Sequence, residues 1–288
     1  MFVCTDKNWV RSSALALAVS ALFMAPAILG AAPQAELWPR WEAHTAGSSR
    51  TVDHDAWAGF LERYLVTDTP DGVNRVRYGE VSSADRRALQ QYISSLEAIP
   101  VSELDRPEQL AFWTNLYNAV TVELILDHYP VKSIRDIKIS GSMLNRHPWD
   151  AELTEVEGVA LTLNDIEHRI MRPIWQDPRI HYVVNCASIG CPNLWPEPFR
   201  GDTWDAIAEA AARAYVNHPR GVDFSGRRPV LSSIYDWYSD DFGGNIEGVV
   251  DHVLRYAEGE RARQARRFAE GGHRGRVSYD YDWDINEF

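Results

Sequence analysis

Hydrophobic residues recur at helical spacing in several segments of the chain. Between residues 55 and 65, Trp57, Phe60, Leu61 and Tyr64 fall on one face, which predicts an amphipathic helix. The same periodicity predicts further helices over residues 82–99, 203–217 and 245–257. Short apolar or alternating runs predict strands over residues 156–163, 179–186 and 277–286, the last with one acidic face. The Arg-rich residues 259–276 predict a loose, solvated segment.

Residues 107–129 predict the most buried helix. The run from Leu110 to Val120 is apolar nearly all round, so we expect other elements to cover most of its sides. Asn115 and Asn118 interrupt this surface three residues apart, on neighbouring positions of one face. Because a buried amide needs hydrogen-bond partners, two interpretations remain. Both amides bond the backbone of nearby loops, or one of them orients a catalytic group.

These elements predict the α+β class: a single mixed domain of packed helices around a small, mainly antiparallel sheet. We expect this domain to span residues 55–288, after a polar, irregular linker at residues 33–54 and an N-terminal signal peptide at residues 1–32. In the signal peptide, a short basic start precedes an apolar run and small residues that suit a cleavage site. An uncleaved membrane anchor is the alternative.

Composition and charge limit the classes of partner that the chain is expected to bind. The chain has 288 residues, 45% of them hydrophobic, and a formal net charge of −12. The acidic balance argues against nucleic acid as a partner, because phosphate binding needs an excess of Lys and Arg. We expect an unidentified small-molecule or peptide ligand in a periplasmic or secreted protein, with membrane contact only if the signal is uncleaved. The sequence does not define an oligomeric state.

Two cysteines and a histidine form the candidate chemical centre. Cys4 leaves with the signal peptide, so the mature protein keeps Cys186 and Cys191. A catalytic cysteine needs a favoured thiolate and a histidine within reach as its base. On a straight strand about 15 Å would separate His181 from Cys186, so the turn at 187–191 decides which thiol approaches the imidazole. Cys186 is slightly favoured as nucleophile, because it lies at a strand end before a turn.

A third group has to orient the histidine, and Glu167 or Asn115 are the candidates. Glu167 has a competing interpretation as part of a capping box that begins at Asn164. The acidic positions 236, 240 and 241 are interpreted as the solvated end of a segment.

The leading functional hypothesis is a thiol-dependent hydrolase or transferase that acts on an amide or related acyl bond. The thiolate attacks the carbonyl, His181 shuttles the proton, and backbone amides of residues 187–190 stabilise the oxyanion. This hypothesis involves no cofactor and no metal. One alternative is a non-catalytic periplasmic binding or interaction domain with a structural Cys186–Cys191 disulfide. A second alternative is a metal site formed by both cysteines with His181 and Glu167.

Several ordered segments together resemble one known family. They are AFWTNLYNA at 111–119, YPVKSI at 129–134, LNDIEH at 163–168, RIH at 179–181 with NCASIGCP at 185–192, and SIYDWY at 233–238 with DF at 241–242. This set, over about residues 100–245, resembles the domain of unknown function family number 547. The resemblance implies an exported bacterial member of that family. It implies a fold rather than a particular chemistry.

Overall fold

The computed structural model describes residue 1 and residues 33–139, 147–226, 228–273 and 276–288. The predicted signal peptide, apart from Met1, lies outside the described residues. The α-helices in the described ranges are α1 Asp55–Tyr64, α2 Ser83–Glu97, α3 Arg106–His128, α4 Arg172–Trp175, α5 Ile180–Val183, α6 Trp204–Val216, α7 Ile234–Trp237, α8 Ile246–Tyr256 and α9 Gly259–Glu270. A π-helical segment, Asp165–Met171, leads directly into α4.

The strands are short and form small sheets. They are β1 Leu65–Val66, β2 Arg75–Val76, β3 Thr154–Val156, β4 Val159–Leu161, β5 Val222–Asp223, β6 Val230–Ser232 and β7 Ser278–Asp280. β1 pairs with β2 and β3 with β4, both antiparallel, while β6 pairs antiparallel with β5 and parallel with β7. The predicted α+β class is confirmed, although the described strands form three small sheets instead of one.

Helix α3 is the central element, as its apolar run predicts. Its side chains are buried almost continuously from Glu108 to Leu126, on all sides of the helix. It packs against α2 and against the π-helical segment. No helix in the described ranges is long and apolar enough to span a bilayer.

The predicted strand at 179–186 is wrong, because its first half is the short helix α5. The Asp177 carboxylate accepts a hydrogen bond from the backbone N–H of Arg179 at 2.9 Å, and the Asp177 carbonyl accepts from Ile180 at 3.1 Å. These local bonds start a helical turn and override the strand preference of the β-branched residues that follow. The chain becomes extended only at Val184, so His181 and Cys186 do not lie on one straight strand.

Three other segments also differ from expectation. Residues 156–163 form the end of a hairpin, β3–β4, whose turn places Glu157 and Gly158 at positive φ. Residues 259–270 form helix α9, which buries Ala262 and Ala265 beneath its exposed arginines. Only Ser278–Asp280 of the predicted C-terminal strand pairs regularly.

Residues 33–54, the predicted linker, contact the rest of the chain. The backbone N–H of Trp38 donates to the Arg169 carbonyl at 3.0 Å, and Trp41 is buried. This segment therefore covers the π-helical segment that carries Glu167.

Candidate functional site

Asn118 of α3 holds the segment that carries the candidate residues. Its Nδ2 donates to the Val183 carbonyl at 2.9 Å, and its Oδ1 accepts from the backbone N–H of Asn185 at 2.8 Å. The Asn185 side chain then accepts from the backbone of Ala187 at 2.8 Å and donates to the Pro192 carbonyl at 2.7 Å. These bonds attach the loop between α5 and Pro192 to the most buried helix of the fold.

Within this loop, Cys186 and Cys191 lie side by side as free thiols. The backbone N–H of Cys186 donates to Cys191 Sγ at 3.1 Å. Ala187 adopts a left-handed conformation with φ of +58°, and the chain turns sharply directly after Cys186. Cys186 Sγ also lies 3.2 Å from Ser188 Oγ and 3.0 Å from the Tyr281 hydroxyl. The turn thus gathers two thiols and two hydroxyls.

The two thiols differ in exposure and in acidity. Cys186 is half-buried, whereas Cys191 is 5% exposed. The hydrogen bond from Cys191 lowers the pKa of Cys186 against the effect of burial, and bonds from Ser188 and Tyr281 lower it further. Burial raises the pKa of Cys191 well above its ordinary value. Of the two, Cys186 is therefore the more readily ionised and the more accessible.

His181 lies between two carboxylates. Its Nε2 is 2.6 Å from Asp241 Oδ2, and its Nδ1 is 3.3 Å from Glu167 Oε1. Burial alone would lower the pKa of His181, but the carboxylates of Asp241 and Glu167 outweigh it and raise the pKa. Both ring nitrogens face oxygen atoms, and within the described ranges neither hydrogen-bonds a thiol. The structure thus does not place His181 as the direct base for either cysteine.

Glu167 is a partner of His181, as one of the two predicted orienting groups. It is buried, and the Tyr117 hydroxyl donates to its Oε2 at 3.2 Å. Burial would raise the pKa of Glu167, but the neighbouring positive charges of His168, His181 and Arg172 lower it to about 2. Glu167 is therefore ionised at neutral pH.

The capping-box interpretation of Glu167 is wrong, because the box lies two residues earlier. Thr162 Oγ1 accepts from the backbone N–H of Asp165 at 2.9 Å, and Asp165 Oδ2 accepts from that of Thr162 at 3.0 Å. Asn164 makes no capping bond through its side chain. This reciprocal pair starts the π-helical segment and leaves Glu167 free to face the interior.

Asp241, interpreted from the sequence as part of a solvated acidic end, belongs to this site. Its carboxylate also accepts from Arg172 Nε at 2.6 Å. Burial would raise the pKa of Asp241, but the hydrogen bonds from His181 and Arg172 hold it well below its usual range. Asp236 and Asp240 are exposed, in keeping with the solvated interpretation. Asp241 differs from these two neighbours through its tertiary contacts with His181 and Arg172.

Asn115, the other predicted orienting group, does not bond His181. Its Nδ2 donates to the Phe199 carbonyl at 2.7 Å, and its Oδ1 accepts from the Phe199 N–H at 3.0 Å. It also lies 3.2 Å from His54 Nε2. The backbone-bonding interpretation therefore describes Asn115, as it does Asn118.

The predicted oxyanion site at residues 187–190 is largely occupied by internal bonds. The backbone N–H of Ala187 donates to Asn185 Oδ1 at 2.8 Å. Those of Ile189 and Gly190 donate to the carbonyls of Asp284 and Asp282, each at 2.8 Å. Three amides of the turn are thus already engaged.

Two tyrosines contact the charged residues around His181. Burial raises the pKa of Tyr117 and of Tyr238, and the carboxylate of Glu167 and the thiolate of Cys186 raise both further. Tyr238 stacks on the His181 ring, with ring centres 4.1 Å apart. The pKa values of both tyrosines therefore depend on Glu167 and on Cys186.

The sequence did not point to Arg172, Ser188, Tyr238 or Tyr281 as members of the site. The only signal for Ser188 and Tyr238 is that they lie in segments 185–192 and 233–238, which carry the resemblance. For the metal hypothesis, the described residues contain no group of three or more His, Cys, Asp or Glu placed to hold an ion.

Comparison with known proteins identifies a family model that matches part of the chain. Searches of curated proteins and of solved structures gave no significant match. A family model matches residues 101–216, which include α3, the π-helical segment, His181 and both cysteines. The model that matches residues 101–216 is described as Protein of unknown function, DUF547, so the match supports the resemblance that the sequence segments show.

Proposed function

We propose that the protein is a thiol-dependent hydrolase or transferase that acts on an amide or related acyl bond, with Cys186 as its nucleophile. The observation that carries this proposal is the half-buried Cys186 thiol, whose sulfur lies 3.0 Å from the Tyr281 hydroxyl and 3.2 Å from Ser188 Oγ. Hydrogen bonds to sulfur favour the thiolate, which is the reactive form of cysteine. Cys191 is the poorer nucleophile, because it is buried and its pKa is raised.

In the proposed reaction, the Cys186 thiolate attacks the acyl carbon and forms a carbon–sulfur bond. The bond to the leaving group then breaks, and the leaving group takes a proton. The Tyr281 and Ser188 hydroxyls lie 3.0 Å apart beside the sulfur, so this pair is suited to relay that proton. Water or an acceptor then attacks the acyl carbon of the thioester, the carbon–sulfur bond breaks and releases the Cys186 thiolate, and the proton lost by the attacking group returns to the hydroxyl pair.

The role proposed for His181 differs from that of the general base expected from the sequence. Its ring lies between the carboxylates of Glu167 and Asp241, which favour the charged imidazolium, and Tyr238 stacks on its face. We assign it as a positioning residue that neutralises two carboxylates close to the thiolate. Without this positive charge, the buried Glu167 would repel the ionised sulfur more strongly.

The first experiment measures alkylation of the full chain with iodoacetamide as a function of pH. We expect wild type to label at Cys186 with an apparent pKa below that of an ordinary thiol. Tyr281→Phe removes one donor to a charged sulfur and should slow labelling at neutral pH by about tenfold. Tyr279→Phe is the matched control, since Tyr279 lies two residues away and is exposed. Equal labelling of both variants would contradict the proposed activation.

The second experiment tests the acyl chemistry itself. Wild-type protein is mixed with p-nitrophenyl acetate, and the digested chain is searched by mass spectrometry for an acetyl group on Cys186. We expect the adduct in wild type and its loss in Cys186→Ser. A wild-type thiol that alkylates readily but never carries the acetyl group would overturn the proposed function.

A further inference from the structure

We infer that Cys186 and Cys191 form a redox pair that exchanges with disulfide-bearing compounds of low molecular weight. Cys186 is the attacking thiol and Cys191 the resolving thiol. The inference shares the nucleophile of the proposed function, but it does not depend on acyl chemistry.

Their mutual placement is the first support. The backbone N–H of Cys186 donates to Cys191 Sγ at 3.1 Å, so the sulfur of one cysteine lies directly beside the other residue. The backbone N–H of Cys191 donates to the Ser188 carbonyl at 3.1 Å, so a tight turn returns the chain to Cys186. Sulfur atoms can be joined without backbone movement only when the two residues already lie this close.

The turn between Cys186 and Cys191 is held by hydrogen bonds to a distant segment of the chain as well as by its own internal bonds. Ile189 and Gly190 donate to the backbone of residues 282–284, and Ala187 accepts from the backbone of Asn286 at 3.1 Å. The separation of the two thiols is thus set by a neighbouring segment of the chain. A pair held in this way loses little conformational entropy when the bond forms.

The difference in exposure is the second support. A reagent can reach the half-buried Cys186, whereas Cys191 is nearly sealed. In thiol–disulfide exchange, the first attack requires an accessible thiolate, and the second needs only a thiol beside the mixed disulfide. The two positions match these two requirements.

The exchange is balanced in atoms and electrons. The Cys186 thiolate attacks one sulfur of the external disulfide, a new sulfur–sulfur bond forms, and the external bond breaks. The first thiolate leaves and takes up a proton. Cys191 then loses its proton and attacks Cys186 Sγ, which releases the second external thiol. The chain gives up two electrons and two protons, and the external disulfide becomes two thiols. While oxidised, Cys186 cannot act on an acyl group.

The test uses the full chain and oxidised glutathione at neutral pH, with mass spectrometry of the peptides that contain Cys186 and Cys191, so that Cys4 does not contribute to the result. We expect wild type to form the internal disulfide without a retained glutathione, and dithiothreitol to restore both thiols under native conditions. Cys191→Ser should retain glutathione on Cys186. Cys186→Ser should stay unmodified, because Cys191 is buried. Cys191→Ala is the second variant, in case a buried hydroxyl impairs folding, and circular dichroism confirms the fold of each.

A wild-type chain that keeps glutathione on Cys186 would overturn the redox pair, as would an internal disulfide that native dithiothreitol does not reduce. The second result would favour the structural disulfide. The acetyl adduct is scored separately in reduced protein. An absent adduct with intact exchange removes the acyl proposal alone, and an adduct without exchange removes the redox pair alone.

Discussion

At the scale of single residues, two carboxylates set the charge of His181. The folded-state pKa of His181 is raised above its ordinary value of 6.5. A raised histidine pKa stabilises the fold fully below the unfolded pKa and loses this effect as the pH rises through the folded pKa. The charged imidazole therefore stabilises the protein in weak acid, and this contribution declines above about pH 6.5.

Asp241→Asn should lower the pKa of His181. Burial is the largest influence on this pKa and lowers it. In the variant, a neutral amide replaces the carboxylate at 2.6 Å, so less of the lowering by burial is offset. Titration of the His181 ring protons by NMR measures the change. Asp240→Asn, at the neighbouring exposed acid, should leave the titration as it is in wild type. An unshifted His181 in Asp241→Asn would contradict the ion pair.

The sequence predicted the types of several residues in the site better than it predicted which residues contact one another. The sequence indicated that Glu167 or Asn115 would meet His181, and the structure places Glu167 there. It did not indicate Asp241, which lies 60 residues from His181 along the chain. Spacing restricts contacts within one element, but it does not restrict contacts between elements whose packing is still unknown.

At the scale of elements, two asparagines of helix α3 each bind the backbone of a loop. Asn115 bonds the backbone of Phe199 twice, and Asn118 bonds the backbone of Val183 and Asn185. Both side chains are buried, and each satisfies one donor and one acceptor of a loop. The loops differ, because only the second carries the thiols.

Asn118→Ala and Asn115→Ala should each lower the free energy of unfolding by about 3 kcal/mol, since each leaves two buried backbone groups unpaired. Urea unfolding measures this loss. Only Asn118→Ala should also change the pH profile of Cys186 alkylation, because only Asn118 positions that loop. If both variants alter the profile equally, α3 stabilises the site without specifically positioning it.

Elements with a regular apolar period were predictable, and those set by local or sparse contacts were not. Helices α1, α6 and α8 follow their periodicity closely. Helix α5 depends on the hydrogen bonds of Asp177, which outweigh the strand preference of the residues after it. Helix α9 has only a narrow buried face of small residues, so its arginines dominate the pattern.

At the scale of the whole molecule, buried neutral histidines limit stability in acid. Burial is the main cause that lowers the pKa of His54, His168 and His252 to about 4. An unfolded histidine binds a proton below about pH 6.5, so unfolding takes up protons between about pH 6.5 and 4. These groups therefore destabilise the fold as the pH falls through that range, which is opposite to the effect of His181.

His252→Gln should flatten this dependence. His252 contributes at most about 3 kcal/mol between pH 6.5 and 4. Glutamine can keep the hydrogen bond to the Tyr182 hydroxyl without titrating. The readout is the urea midpoint measured from pH 4 to 7, with His44→Gln, at an exposed histidine, as the control. A slope equal to that of wild type in His252→Gln would refute the assignment.

The Tyr281 hydroxyl that bonds Cys186 comes from a residue 95 positions later in the chain. A ribosome adds about 5–20 residues per second, so the cysteine emerges on the order of ten seconds before its phenol partner exists. During synthesis, the sulfur therefore has neither its hydroxyl donor nor the backbone of residues 282–284 that shapes its turn. Oxidants that meet the nascent chain act on a cysteine that lacks these partners, and the proposed reactivity of Cys186 arises only when residues 281–286 dock.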